Sequence, residues 1–303
     1  MVNIIQKKNI WLSISGALMA IGIVSLLLWG LKPGIDFTGG SLLEVDYTGN
    51  RPALDDVRSV FAARDIKDVE LKASGDHGVI ARFKTVDQAM HEMIVTDLKT
   101  KGDLVERNFE SIGPVIGAEL RDKAWKAVLL AVLMILLYIS FTFRRVSRPV
   151  ISWKYGVAAI IALSHDLITV LGVFSLMGHF LGTEINSSFI AAFLTVLGFS
   201  VHDTIVVFDR IRENIMKSSG DFAETVNRSL NETIVRSVNT SLTVMLVLLS
   251  IYILGGASLQ YFALALLIGI GIGTYSSIFV ASPILVLWHE WDQRNAAVAR
   301  LKK

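Results

Sequence analysis

Hydrophobic positions along this chain fall into two regimes. Residues 10–31, 124–143, 156–178, 189–208, 238–254 and 262–287 form six stretches that are apolar almost throughout. The hydrocarbon core of a bilayer is roughly 30 Å thick and a helical residue rises about 1.5 Å, so each stretch is long enough to cross it as a helix. The last has length to spare for tilting. Residues 32–123 follow a different rule, with short periods and frequent charges. Segments 41–48 and 78–83 alternate or are β-rich, 69–72 can pair with 78–83 through the turn 74–77, and 104–112 reads as a last strand. Leu54, Val57, Val60 and Phe61 share one face of a helix over 52–64, opened by Pro52. Met90, Ile94 and Leu98 do the same over 87–101. The order β-α-β-β-α-β predicts a ferredoxin-like split βαβ unit, a fold that hosts too many functions to name one.

The pattern therefore predicts an α-helical membrane protein of six transmembrane helices with a small α+β domain between helices one and two. Its parts are 1–31 (N-terminus and first helix), 32–123 (ferredoxin-like domain), 124–288 (remaining bundle) and 289–303 (basic tail). Composition agrees, since 52% of the 303 residues are apolar and 18% charged, with a mean hydropathy of +0.55. Soluble domains carry about 25% charged residues. The formal net charge of +2 gives no polyanion footprint, so nucleic acid is not an expected partner. The absence of cysteine removes disulfides, thiolate metal sites and cysteine nucleophiles. The first apolar run is too long for a cleavable signal core of about 7–15 residues, so it reads as a retained anchor.

Charge placement also gives an orientation. Arg144, Arg145, Arg148 and Lys154 lie between stretches two and three. Arg210, Arg212, Lys217, Arg228 and Arg236 lie between four and five, and Arg294, Arg300, Lys302 and Lys303 in the tail. Loops 179–188 and 255–261 hold no Lys or Arg. The positive-inside rule then predicts cytoplasmic termini and an outer 32–123 domain. That domain holds 13 basic and 17 acidic residues, against 16 and 10 in the remainder, so a near-neutral total conceals an acidic outer part and a basic inner one.

An ionisable group inside a span costs about 2.5–3.5 kcal/mol on insertion scales, which makes it a functional candidate. Asp166 lies near the middle of the third stretch and Asp203 about 9 Å in from the end of the fourth. Each follows a histidine, His165 and His202. Ser200 is the i−3 neighbour of Asp203, and Arg236, Asn239, Thr240 and Thr243 make one polar stripe at the start of the fifth stretch. Burial favours the protonated form of a carboxyl group and a nearby guanidinium favours the ionised form. A stripe facing Asp203 would therefore make a proton relay coupled to movement, with Asp203 and Arg236 at its centre and His202 and Asp166 as further members. The plainer reading is that these acids only pair with basic groups to hold the bundle together. Metal binding is disfavoured, because adjacent helical residues point about 100° apart and no HExxH is present. No catalytic residue and no cofactor is expected. The chain lacks GxxxxGK[ST], and 34–40 reads as a turn into the first strand. Gly269, Gly273, Ser277 and Ala281 form a small-residue ridge suited to close helix packing.

Four segments together resemble the SecF family, the smaller subunits of the bacterial SecD–SecF export complex: 34–40 (GIDFTGG), 112–117 (IGPVIG), 162–166 (ALSHD) and 201–214 (VHDTIVVFDRIREN). The resemblance implies half of an RND-type bundle in the bacterial inner membrane, working beside SecD, the SecYEG channel and YajC on unfolded preprotein. It further implies use of the proton gradient late in translocation, with Asp203 and Arg236 in proton conduction. The motif Asp36, Phe37, Thr38, Gly39 and Gly40 would support the outer domain. His202 departs from the asparagine common in relatives. Two other classes stay open: an RND-type efflux transporter of small molecules or lipids, and a passive structural subunit.

Overall fold

The computed structural model describes residues 2–142, 150–217, 220–255 and 257–301. Arg144, Arg145, Arg148, Lys302 and Lys303 of the orientation argument lie outside them. The elements are α1 (Lys8–Leu28), α2 (Ile35–Thr38), β1 (Gly40–Tyr47), α3 (Leu54–Ala63), β2 (Glu70–Ser74), β3 (Gly78–Phe83), α4 (Gln88–Lys99) and β4 (Leu104–Ile112). They continue with α5 (Pro114–Thr142), α6 (Ser152–Leu181), α7 (Ser187–Lys217), α8 (Phe222–Leu254), α9 (Ala257–Ser276) and α10 (Ser282–Leu301). A π turn, Ser277–Ala281, joins α9 to α10. Two compact units result: a sheet unit, Pro33–Lys126, and a helical unit from the rest.

In the sheet unit all neighbouring strands are antiparallel, in the order β2-β3-β1-β4. Alternation decides which face is covered. Leu43, Val45 and Tyr47 of β1 join Val79, Ala81 and Phe83 of β3 in one core with Val57, Val60 and Phe61 of α3 and Ile94, Val95 and Leu98 of α4. Burying Phe61 or Leu43 completely stabilises the unit by about 1.5–3 kcal/mol each. The Asp87 carboxylate accepts from the Met90 amide at 2.9 Å and so caps α4. On the other face, burial and then the Asp46 charge push the Glu44 carboxyl above its ordinary value, with Arg107 opposing them.

The motif at 36–40 forms the entry to β1. Phe37 is buried within α2, and Gly39 and Gly40 take φ of 74° and 136°, which side-chain-bearing residues resist. A Cβ on Gly39 would lie 2.7 Å from Pro114 Cα, and one on Gly117 would lie 2.8 Å from the Gly39 nitrogen. Backbone therefore meets backbone where β1 begins and α5 starts.

Five helices among the described residues are long and apolar enough to cross a membrane: Ile5–Leu28, Trp153–Leu181, Ser187–Lys217, Phe222–Leu254 and Leu259–Val298. The expected second stretch, 124–143, falls in α5, which is not among those five, and residue 143 lies outside the described residues. Three expectations need correction. Arg210, Arg212, Lys217, Arg228 and Arg236 belong to helices, because α7 and α8 outlast their apolar runs. Arg210 reaches Glu213 and Glu232 at 2.6 Å, and Asn214 donates to Ser229 and Glu232, so polar pairs replace apolar packing there. Lys154 is not a solvated loop residue. It is 4% exposed, paired with Asp292, with its Nζ 5.1 Å from the Trp288 ring centre. The sixth stretch is not one regular helix either. Pro283 has no amide hydrogen to give the Phe279 carbonyl, and the π turn lies there.

Small residues set the helix contacts. A Cβ on Gly172 of α6 would lie 2.3 Å from Gly22 Cα of α1, beside the bond from Ser175 Oγ to the Ser25 carbonyl at 3.0 Å. Gly269 and Gly273 both pack on α7, where a Cβ would meet Val196 at 2.2 Å and Ser200 at 3.0 Å. Ser277 continues the row, 2.9 Å from the Thr204 hydroxyl. The chain's first residues are clasped by α8. Asn231 Oδ1 accepts from the Val2 amide at 2.8 Å, Asn227 Oδ1 accepts from Ile4 at 2.9 Å, and both amide groups donate to the Val2 carbonyl. Ile4 and Ile5 are buried behind this clasp.

Candidate functional site

Asp203 sits on α7 where that helix packs against α8. It is 7% exposed, and Ser237 Oγ donates to its Oδ1 at 2.7 Å. Its Oδ2 is buried and has no hydrogen-bond partner among the described residues. Beside it opens a cleft of about 300 Å³ lined by Asp203, His202, Arg236, Ser237, Thr240 and their apolar neighbours. Arg236 and His202 are exposed on the cleft's rim. No ion pair joins Arg236 to Asp203 among the described residues; the two groups share a cleft without touching.

Asp166 lies deeper. It is fully buried on α6, and its Oδ2 accepts from Ser200 Oγ of α7 at 2.5 Å and from Ser276 Oγ, at the end of α9, at 2.7 Å. His165 Nδ1 lies 3.0 Å from its Oδ1. One carboxyl group thus ties together three helices. His165 Nε2 is buried without a hydrogen-bond partner among the described residues. Among the described residues no three His, Cys, Asp or Glu side chains gather as a metal-holding group.

The structure rearranges what spacing suggested. Ser200 serves Asp166 and not Asp203, since its hydroxyl is turned toward α6. The stripe Arg236, Asn239, Thr240 and Thr243 is exposed, and Arg236 and Thr240 of it line the cleft with Asp203. The face of α8 that packs inward carries Thr225, Ser229, Thr233, Ser237 and Ser241. This row was missed, yet its signal is present in the sequence as a hydroxyl residue at every fourth position. Helical geometry explains the shift. Arg236 precedes Ser237 by one residue, about 100° around the helix, so only one of them can point at Asp203. Ser276 was equally hidden inside an apolar run, next to Ser277 of the small-residue ridge.

A carboxyl group with one oxygen held by a hydroxyl and the other at a cleft can exchange a proton with water from that side. A guanidinium on the same rim can bias the exchange by moving nearer or farther. Asp166 is fully buried, with no exposed surface.

Comparison with known proteins adds a family context. Residues 92–291 match the family described as protein export membrane protein SecD/SecF, C-terminal, and residues 25–49 match the SecD/SecF GG motif. The protein translocase subunit SecF of Thermobaculum terrenum is 42% identical over 96% of this chain and 95% of that protein. The SecF of Anaerolinea thermophila is 39% identical over 97% and 96%. Among solved structures, SecDF of Thermus thermophilus, a translocon-associated membrane protein, superposes with a TM-score of 0.82 at 34% identity over 95% of this chain. This chain spans 39% of that one.

Proposed function

Because the chain belongs to the SecD/SecF family of protein-export membrane proteins, we propose that it is the SecF-type subunit of a Sec translocase and uses the proton gradient to promote late preprotein translocation. Asp203 is the proton carrier. It takes a proton from the cleft when Arg236 makes no ion pair with it, the arrangement among the described residues, and returns it to water when the guanidinium swings in. The observation that carries this reading is the unpartnered Asp203 Oδ2 beside a cleft that also holds Arg236. An unsatisfied buried polar atom costs about 1–3 kcal/mol, and a site that exchanges protons gives a reason to keep one. His202 on the same rim is a second group able to pass protons. Asp166 holds α6, α7 and α9 together, so its place in the relay is structural. No step here makes or breaks a bond other than to hydrogen, so the subunit is not an enzyme in this reading.

The architecture follows the same proposal. We take α5 as a sixth span, because Leu129, Leu130, Leu133, Met134 and Leu137 expose an apolar face in this chain. The Pro33–Lys126 unit is the ferredoxin-like outer domain, supported by its strand order β2-β3-β1-β4. Aromatic groups mark both ends of α6: Trp153 against Trp288 at its start, His179 stacked on Trp29 near its close. The 26 residues between Trp153 and His179 span about 39 Å, close to a whole bilayer with its headgroups, about 40–45 Å. The six helices make half of an RND-type bundle in the inner membrane, with both termini cytoplasmic. SecD supplies the other half, and SecYEG, YajC and unfolded preprotein are the further partners.

The test is preprotein translocation into membrane vesicles with and without a proton gradient. Asp203→Asn is expected to remove the stimulation by the gradient while leaving the basal reaction intact. Undiminished stimulation would overturn the relay and favour a passive subunit. Dye transport by this chain without SecD would favour the efflux class.

A further inference from the structure

The cytoplasmic end of the helical unit, in the orientation proposed above, carries a second cleft that the relay does not use. It measures about 740 Å³ and lies between the start of α1, with Lys8 and Asn9, and α10, with Leu287, Glu290, Trp291 and Arg294. Clefts that hold small molecules run from about 300 to 1,000 Å³. Lys8 is paired with Glu290, which balances the acid inside the cleft. Arg294 is exposed and makes no ion pair among the described residues, so the cleft keeps a net positive charge.

Its apolar side is exposed as well. Trp291 and Leu287 line it from α10, and Ile10 and Ile14, 57% and 44% exposed, carry apolar surface onward along α1. A separate observation bears on the depth. Trp153 and Trp288 meet at 4.9 Å at this end of the unit, with Lys154 between them and Asp292, and indole rings beside cationic groups gather at headgroup level. A cationic pocket at headgroup depth, opening onto an apolar strip that runs toward the bilayer centre, has the chemistry of one ligand.

We propose that this cleft binds an anionic phospholipid of the inner leaflet, its phosphate on Arg294 with Asn9 alongside, and its acyl chain along Ile10 and Ile14. Trp291 stands at the boundary between headgroup and chain. The lipid preference requires only the cleft, whereas the choice of leaflet rests on the proposed orientation.

The experiment is native mass spectrometry of the purified full-length protein in micelles containing equal amounts of phosphatidylglycerol and phosphatidylcholine. The parent protein is expected to retain phosphatidylglycerol preferentially. Arg294→Gln should lower that preference about fivefold, the effect of one basic group near an anionic surface, and Arg294→Lys should restore most of it. Because Arg294 is exposed, the variants are expected to fold as the parent does. Equal retention of the two lipids by the parent, or an unchanged preference in Arg294→Gln, would overturn the proposal. So would displacement by millimolar inorganic phosphate, which would identify a free-anion site, or loss of lipid on adding the partner subunit, which would identify a protein interface. Orientation is read separately, from labelling of Asn295→Cys by an impermeant maleimide in vesicles of either sidedness. Labelling from the outside would move the lipid to the other leaflet without touching the micelle result.

Discussion

The neighbourhoods of Asp166 and Asp203 share α7, a preceding histidine and an almost complete removal from solvent, yet they are built to opposite ends. Around Asp166 every direction is filled: two serine hydroxyls donate to one oxygen and His165 faces the other. Around Asp203 one serine donates and one oxygen is left over, next to a cleft. Burial alone does not mark a working acid inside a membrane protein. The number of its lone pairs already committed to neighbours does, because a committed oxygen can accept a proton only by breaking what holds the helices.

The largest test of this contrast pairs two isosteric changes. Asp203→Asn should abolish gradient stimulation of translocation, whereas Asp166→Asn, whose amide oxygen still accepts from Ser200 and Ser276, should keep most of it. The contrast breaks if the two results are exchanged. Truncation reverses the ranking when stability is read instead. Asp166→Ala strands the buried Ser200 hydroxyl and the buried His165 Nδ1 at about 1–3 kcal/mol each, with Ser276 falling back on the Gly273 carbonyl, while Asp203→Ala strands only Ser237. Thermal unfolding in detergent should therefore show the larger drop for Asp166→Ala.

A subtler change reaches one neighbourhood without entering it. Gly273→Ala places a methyl group 3.0 Å from Ser200 Cβ and forces α9 off α7, an overpacking that costs about 1–3 kcal/mol. It draws Ser276 away from Asp166 and reaches the α7–α8 contact only indirectly, through the Ser241–Thr274 hydrogen bond. Stability should fall while the fractional response to the gradient holds, and a lost response would show that the two neighbourhoods act as one.

The smallest effect is expected at a third carboxylate, Glu44 in the sheet unit, whose value is raised by burial and by the Asp46 charge, only partly offset by Arg107. Such a group favours the folded state most below the ordinary glutamate value of about 4.3, and that benefit fades as pH rises through the folded value. Glu44→Gln should slow hydrogen exchange of β1 in the full-length protein at pH 7, with the gain vanishing near about pH 4. A gain that persists in acid would mean that the change acts through packing.

How much of this was legible beforehand differs by unit. In the sheet unit, the expected strands 78–83 and 104–112 coincide with β3 and β4, and Val57, Val60 and Phe61 do face the core, since water on one side enforces alternation. In the helical unit the apolar runs locate α1, α6, α7, α8 and α9, but they hide everything within. Hydropathy cannot see that Ser237 and not Arg236 meets Asp203, because the choice depends on helix rotation. It cannot see Lys154 drawn in between tryptophans by Asp292, or a π turn set off by Pro283. Asp203, Arg236, Gly269 and Gly273 could be singled out as candidates from the sequence, whereas which serine meets which carboxylate required coordinates.

The clasp on residues 2–5 has a consequence in time. Val2 and its partner Asn231 are 229 residues apart, and synthesis at about 5–20 residues per second leaves the first waiting roughly 10–45 s for the second. Throughout that interval Ile4 and Ile5 have no pocket to enter. Residues 2–5 are thus made long before they find their place, and they are fastened to the helical unit only after α8 has been made.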